Sequence, residues 1–232
     1  MSFKKNLVIS IIPAKSFSKL IKNKNLQKIG KKTLVEITIQ ASKKCKIIDQ
    51  TYVTSDSKKI LDIAKDNNAI SVLRPKKFCK NNSTANDVVS HFVKTLSDKI
   101  IKKNPYIVYL QPTSPLRKAK HINASFEILK NTKKNKLVSV TLASSTILKS
   151  YLQNKNKLEL IHSRNLANHN RQSLPKVFMP NGAIYIFRIK EFLKKKTFPQ
   201  NDLVPLIMSL KDSLDIDYIK DLNKVRKIIA RV

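Results

Sequence analysis

An α/β fold, built on a mostly parallel sheet with helices on both faces, is predicted by the way short apolar runs alternate with helical patterns along this 232-residue chain. Two further observations point the same way. The apolar runs end in hydroxyl, amide, cation or proline clusters, which is where an open α/β sheet gathers its ligand-binding groups. A hydrophobic content of 41% allows a sizeable core.

The elements follow in order. Leu7 to Ile12 is the first strand, and Leu34, Ile37, Ile39 and Ala41 fall on a following helix. Gln50 to Thr54 reads as strand, Ser57 to Asn67 as helix, Ile70 to Leu73 as a short strand and Thr84 to Lys102 as one long helix. Tyr106 to Leu110 is a fourth strand, Ala119 to Asn131 a helix, and Leu137 to Leu142 a strand. The rhythm breaks near Ser144. From there to Pro180, strand-like pieces at Ile147 to Leu152 and Leu158 to Ile161 flank an Asn/Lys turn and precede a polar stretch with His162 and His169. Gly182 to Phe187 returns to strand, Leu203 to Met208 is a further apolar piece, and Ile219 to Ile229 is a closing helix. The expected organisation is one α/β domain, residues 1–143 and 181–232, interrupted by an excursion over 144–180.

Composition narrows the function. No apolar run approaches the roughly 20 residues that span a bilayer, and Met1 to Asn6 lacks an apolar signal-peptide core, so a soluble cytoplasmic protein with no membrane partner is expected. Cys45 and Cys79 form no zinc motif with the 4 His and read as free, reduced thiols. The 47 Lys+Arg against 15 Asp+Glu give a formal net charge of +32, which attracts polyanions and motivates a nucleic-acid-binding reading. Against it, the lysines are spread in short runs along the chain, aromatics are 6% and there is no Trp or recognisable nucleic-acid module, so no specific nucleic-acid partner is expected.

The chemistry-bearing residues collect at strand ends. Directly after the first strand, Pro13 to Asn25 carries Lys15, Ser18, Lys19, Lys24 and Asn25, so that backbone N–H groups and cations can hold a triphosphate from several sides. The loop contains no glycine. Leu110-Gln111-Pro112-Thr113-Ser114-Pro115-Leu116-Arg117 ends the fourth strand. It reads equally as a rigid βα turn and as a polar crevice wall on which Gln111 meets a substrate. In Ser213-Leu214-Asp215-Ile216-Asp217 an extended backbone puts both carboxylates on one side, which suits Mg²⁺ bridging to phosphate oxygens, although capping of the last helix accounts for one of them. Asn181-Gly182-Ala183-Ile184-Tyr185 opens a strand with one of only 2 glycines. Thr54-Ser55-Asp56 and Arg74-Pro75 close the second and third strands, where plain turn chemistry is an alternative.

Taken together these segments resemble the cytidylyltransferases that activate nine-carbon sugar acids, the N-acylneuraminate (sialic acid) cytidylyltransferase family. The likeness runs from Leu7 to about Ile229 through IIPAKSFSKLIKNKN, TSD, RP, LQPTSPLR, RQSLP, NGAIYI and SLDID, in the family's order. The resemblance implies a Rossmann-like nucleotidyltransferase that dimerises through the excursion and uses CTP and Mg²⁺ to activate a nonulosonic acid. It further implies that Lys15, Ser18, Lys19 and Lys24 hold the triphosphate, Asn25 the ribose and base, and Arg74 and Ser83 the cytosine. Gln111, Arg171 and Tyr185 line the sugar pocket, Asp215 and Asp217 bind metal, and Lys15, Lys24 and the two aspartates carry the chemistry. The chain departs from the family at Lys15-Ser16-Phe17, where an arginine and two glycines are common; lysine keeps the charge and loses the bidentate fork. That substitution motivates a third reading, a nucleotide-binding relative without turnover. Met179 and Asn168 replace residues that are often basic and acidic in sialic acid enzymes, which leaves legionaminic acid and similar sugars as candidates.

Overall fold

The computed structural model describes residues 6–162, 166 and 168–230. Most of the amino-terminal segment read above for a leader, and positions 163–165 and 167 of the excursion, lie outside the described residues. The core is a seven-stranded sheet. It comprises β1 (Val8–Pro13), β4 (Gln50–Ser55), β5 (Ile70–Leu73), β6 (Tyr106–Tyr109), β7 (Leu137–Ala143), β10 (Val177–Arg188) and β11 (Val204–Ile207), in the spatial order β11-β7-β10-β6-β1-β4-β5. β10 alone runs antiparallel to its neighbours. The chain leaves β1 towards β4 and β5, then crosses back to lay β6 on the other side of β1. The carboxyl ends of β1 and β6 therefore flank the point where the winding reverses, and a crevice opens there.

Every residue from Val8 to Ile12 is buried, as expected of a central strand covered on both faces. The period-two alternation sorts side chains between two layers. Val8, Ile12, Val53 and Val108 pack against α1 (Leu34–Lys43), α2 (Lys58–Asp66) and α5 (Ala119–Thr132). Ile9, Ile11, Tyr52, Ile107 and Tyr109 pack against α3 (Ala85–Val93) and α6 (Ile189–Lys195). A third cluster joins Ile21, Ile29, Leu34, Leu116 and Ile216 to Leu222 and Val225 of α7 (Ile219–Ala230). Among the described residues no helix is long and apolar enough to cross a membrane.

The structure departs from the sequence reading in four places. The long helix over Thr84 to Lys102 is two helices, α3 and α4 (Asp98–Lys102). Lys94, Thr95 and Leu96 donate their N–H groups three residues back instead of four, and the Thr95 hydroxyl takes the Phe92 carbonyl, which tightens and ends the first helix. The first half of the piece Ile147 to Leu152 belongs to a 3₁₀ turn, Ser145–Lys149, started by Ser144, whose Oγ accepts from Thr146 N; strand begins only at β8 (Tyr151–Asn154) and returns as β9 (Lys157–Leu160). β10 starts at Val177 and crosses the expected boundary at 180/181 without a break, its register shifting between Pro180 and Tyr185. Finally, α6 and a small hairpin of β2 (Lys28–Ile29) and β3 (Lys32–Thr33), turned by Gly30 at φ +60°, were outside the sequence reading.

Because β7 runs parallel to β1 through the intervening strands, its far end lies on the same edge of the sheet as the crevice. There the pair Thr141 to Ala143 and Val177 to Met179 extends as an arm that carries the β8/β9 hairpin. Phe126 anchors the opposite layer: it is fully buried and meets Tyr106 edge to face at 5.8 Å. Truncating it in Phe126→Ala is expected to remove about 3–5 kcal/mol of stability, read as a lower urea midpoint at unchanged m-value.

Candidate active site

The loop after β1 keeps its shape without glycine because side chains and one unusual backbone angle do the work. Ala14 N donates to Thr54 O, and the Asn25 amide donates to Lys15 O at 2.8 Å, closing the loop on itself. Asn23 adopts φ +51°, the left-handed conformation that asparagine tolerates better than most residues. Ser16 N and Oγ both donate to Asp56, at 2.7 and 2.6 Å. Burial pushes the Asp56 carboxyl up, but these bonds, its own N–H and the Cys79 thiol outweigh it and hold it below the usual value. The Thr54-Ser55-Asp56 segment is thus an anchor for the loop. The Ser16 amide, spent on Asp56, is not among the N–H groups that the loop can offer a phosphate.

The acidic segment comes from the other end of the chain and is held by its middle residue. Ile216 is fully buried in the third cluster and donates its N–H to Thr113 O at 2.9 Å, which turns Asp215 inward and leaves Asp217 exposed. Lys24 Nζ lies 3.1 Å from Asp217 and 3.0 Å from the Ile216 carbonyl. Burial, reinforced by the neighbouring Asp217, raises the Asp215 carboxyl above its ordinary value, against the opposing hydroxyls of Thr113 and Ser114 and the Lys24 ammonium. Capping does not account for Asp217: it is the Asp221 carboxylate that accepts from Asp217 N and Tyr218 N at the start of α7.

Gln111 lies two residues beyond β6, opposite the loop, and Gly182 makes room for it. A Cβ at Gly182 would sit 2.9 Å from Gln111 Oε1, and the residue has φ +74°. Arg117 is almost wholly buried and donates to the Gln111 and Ala183 carbonyls at 2.9 and 3.2 Å, stitching this turn to β10. Burial pushes its pKa down to about 9, which leaves it charged at neutral pH. Asn181 links the same strand to the acidic segment, accepting from Ser139 Oγ and donating to Ser213 Oγ.

Two adjoining cavities result. One, of about 250 Å³, is lined by Lys15, Ser18, Lys24, Asn25, Arg74, Ser83, Gln111 and Thr113, with Phe17 and Phe78 on its wall. The other, of about 290 Å³, is lined by Gln111, Tyr185, Asn86 and the aromatic pair Tyr109 and Phe198, and shares Thr84, Ala85, Tyr109 and Gln111 with the first. The cytidylyltransferase family model matches residues 9–230, nearly the whole chain and both cavities. The chain belongs to the cytidylyltransferase family.

Its relatives agree in kind. The CMP-N,N'-diacetyllegionaminic acid synthase of Legionella pneumophila is 31% identical over 222 residues, covering 90% of each chain. The N-acylneuraminate cytidylyltransferase of Escherichia coli O18:K1:H7 is 30% identical over 213 residues, covering 90% of this chain and 49% of its own. The chain spans about half the length of several such N-acylneuraminate relatives. A solved CMP:2-keto-3-deoxy-manno-octonic acid synthetase with CTP superposes with a TM-score of 0.71 at 12% identity, over 97% of this chain and 99% of that one, so the two share the Rossmann-like nucleotidyltransferase fold.

Within this cytidylyltransferase fold, most of the residues expected at the site converge and two do not. Lys15, Ser18, Lys24, Asn25, Arg74, Ser83 and Gln111 line the first cavity and Tyr185 the second; Asp215 and Asp217 line neither, but Asp217 pairs with Lys24 at 3.1 Å and Asp215 feels the Lys24 charge. Lys19 is exposed and lines neither. Arg171 sits in an exposed 3₁₀ turn, Arg171–Ser173, of the excursion and also lines neither, because the chain has left the sheet there. Phe198 was missed by sequence reasoning. It reaches the second cavity through Asn86, whose Oδ1 accepts from Phe198 N at 2.8 Å, and no periodicity in Thr197-Phe198-Pro199 signals that. Asp215 and Asp217 offer hard oxygen donors, and among the described residues no group of three or more His, Cys, Asp or Glu could hold a metal. Two carboxylates fit the way Mg²⁺ is usually bound, through one or two protein carboxylates plus substrate and water. Cys45 and Cys79 are buried and free.

Gly182→Ala forces a side chain into the Gln111 amide at a left-handed backbone position. It is expected to cost roughly 1–2 kcal/mol by thermal or urea denaturation. Gln111→Ala/Gly182→Ala should lose less than the sum of the single changes, because the collision disappears.

Proposed function

We propose that the chain transfers CMP from CTP to the anomeric hydroxyl of a nonulosonic acid, a sialic, legionaminic or related nine-carbon sugar acid, with release of pyrophosphate. The observation that carries this reading is the pair of cavities joined at Gln111, with Lys24 in the lining of the first and paired with Asp217. In this reading the hydroxyl gives up its proton to water as its oxygen forms a bond to the α-phosphorus, while the bond from that phosphorus to the bridging oxygen breaks and the electron pair leaves with pyrophosphate. Arg74 and Ser83 take the base, and Asn25 the ribose side. Lys15 and Lys24 offset charge on the phosphates, and Gln111 and Tyr185 orient the sugar acid, so that catalysis is chiefly positioning and charge stabilisation. Mg²⁺ held by Asp215 and Asp217 would supply the charge neutralisation that the two carboxylates by themselves oppose. Lys24, released from Asp217 as the phosphates arrive, would then face them. Activity on CTP fits a cytoplasmic enzyme.

The decisive assay supplies CTP and Mg²⁺ with neuraminic, legionaminic, pseudaminic and ketodeoxyoctonic acids and scores CMP-sugar by mass. The expected outcome is pyrophosphate release with at least one nine-carbon acid. Absence of release with the whole panel from folded protein sinks the reading. Asp217→Ala is expected to lower Mg²⁺-dependent turnover by about 10²-fold or more with an unchanged melting temperature, and Lys24→Ala to impair turnover more than folding.

We also infer a homodimer formed through the arm. Leu142, Tyr151, Leu152, Leu158 and Met179 are all more than half exposed there, an apolar concentration that a monomer rarely displays. Dimerisation would give Arg171 a route to a sugar pocket that it does not reach within its own chain. Leu152→Glu/Leu158→Glu should sediment as a monomer while keeping its fold; a wild-type monomer at micromolar concentration overturns the inference.

A further inference from the structure

Phe17 lines the nucleotide cavity, yet none of the roles above uses it. Its side chain is 56% exposed, on the loop between the cations Lys15 and Lys19. A single exposed phenyl group is ordinary on a protein surface. Two further observations set this one apart.

The backbone beside Phe17 is clamped, since Ser16 N and Oγ both donate to the Asp56 carboxylate. The ring therefore projects from a fixed point. The same cavity also contains Arg74, 3% exposed, whose Nε meets no hydrogen-bond partner among the described residues. Arg74 is buried and yet lines the cavity, so its guanidinium is a fixed donor group beside any ligand held there. Asp56 braces both groups, because it accepts from the Cys79 thiol as well, and Cys79 is in turn hydrogen-bonded to Arg74.

A ligand that satisfies this arrangement is flat, presents a π face to the phenyl ring and offers an in-plane acceptor to the guanidinium. A pyrimidine base with its ring carbonyl does both. We propose that Phe17 is a stacking platform for the base of the bound nucleotide. The inference rests on the cytidylyltransferase reading for which nucleotide that is. Stacking uses the π face that every base has, so Phe17 adds affinity while Arg74 supplies the edge that discriminates. Affinity gained at the base would also offset what Lys15 loses at the phosphates by lacking a bidentate fork.

The test separates base from phosphate. Calorimetry with CTP and with inorganic tripolyphosphate, both with Mg²⁺, is run on wild type, Phe17→Ala and Phe17→Tyr. Phe17→Ala is expected to weaken CTP binding on the order of tenfold, the size of one base–aromatic stack, to leave tripolyphosphate binding unchanged, and Phe17→Tyr to bind like wild type. The chain has no tryptophan, so Phe17→Trp places a lone indole at the site. Its fluorescence should be quenched by CTP and not by tripolyphosphate. Equal losses for both ligands in Phe17→Ala overturn the inference in favour of loop positioning. CTP binding that survives Phe17→Ala undiminished overturns it alone, whereas wild type that binds no CTP overturns the cytidylyltransferase reading together with it.

Discussion

Lys24 and Asp217 are 193 residues apart in sequence and 3.1 Å apart in space, and the site exists because something holds them so. The ion pair itself is not the cause. Asp217 is more than half exposed, and pairs of that kind are worth about 0–1 kcal/mol after screening. Ile216 is the stronger tether. Its full burial is worth about 1.5–3 kcal/mol, and its N–H bond to Thr113 fixes the register of the segment against the end of β6. An apolar residue between two acids therefore does two things: it pins the chain and it sends the neighbouring carboxylates to different environments. Asp215 goes inward, where burial raises it, and Asp217 stays out, where Lys24 can reach it.

The loop after β1 follows the same logic of side chains substituting for backbone freedom. Where a glycine-rich turn would leave its amides free, this one uses Asp56, Asn23 and Asn25 to define its path and spends the Ser16 amide doing so. The ammonium groups of Lys15 and Lys24 line the cavity as well. Such point charges on flexible stems recognise a phosphate less directionally than oriented dipoles do. Glycine is retained instead where a second backbone presses on a functional side chain, at Gly182 against Gln111.

Period and punctuation made the central strands legible, because β1 and β6 are buried on both faces and read as apolar runs interrupted only by Ser10, while β4 stands out by its threonines, tyrosine and valine. The convergence of Lys24, Gln111 and the aspartates was legible only as separate segments at strand ends; their meeting depends on Ile216 and Gly182, whose roles are contacts between distant parts of the chain. The split of the helix after Thr84 was hidden, since Thr95 and Ser97 are compatible with a helix until the Thr95 hydroxyl takes the Phe92 carbonyl. The two-residue strands β2 and β3 carry no period to detect. Phe198 escaped notice for a different reason. Its place at the second cavity is set by the Asn86 amide, 112 residues away.

The net charge of +32 suggests diffuse attraction for polyanions, but one cation of the cavity wall hardly shows at the surface. Arg74 is buried, and its neighbours register it. Burial is the leading influence on Tyr109, Cys79 and His91, raising the first two and lowering the third, and in each case Arg74 adds the pull towards the less positive form that a nearby positive charge dictates. A surface lysine is screened within a Debye length of about 8 Å at physiological salt, whereas a desolvated guanidinium in a walled cavity keeps most of its field. Removing surface lysines should therefore change how fast anionic ligands arrive more than how tightly they are held.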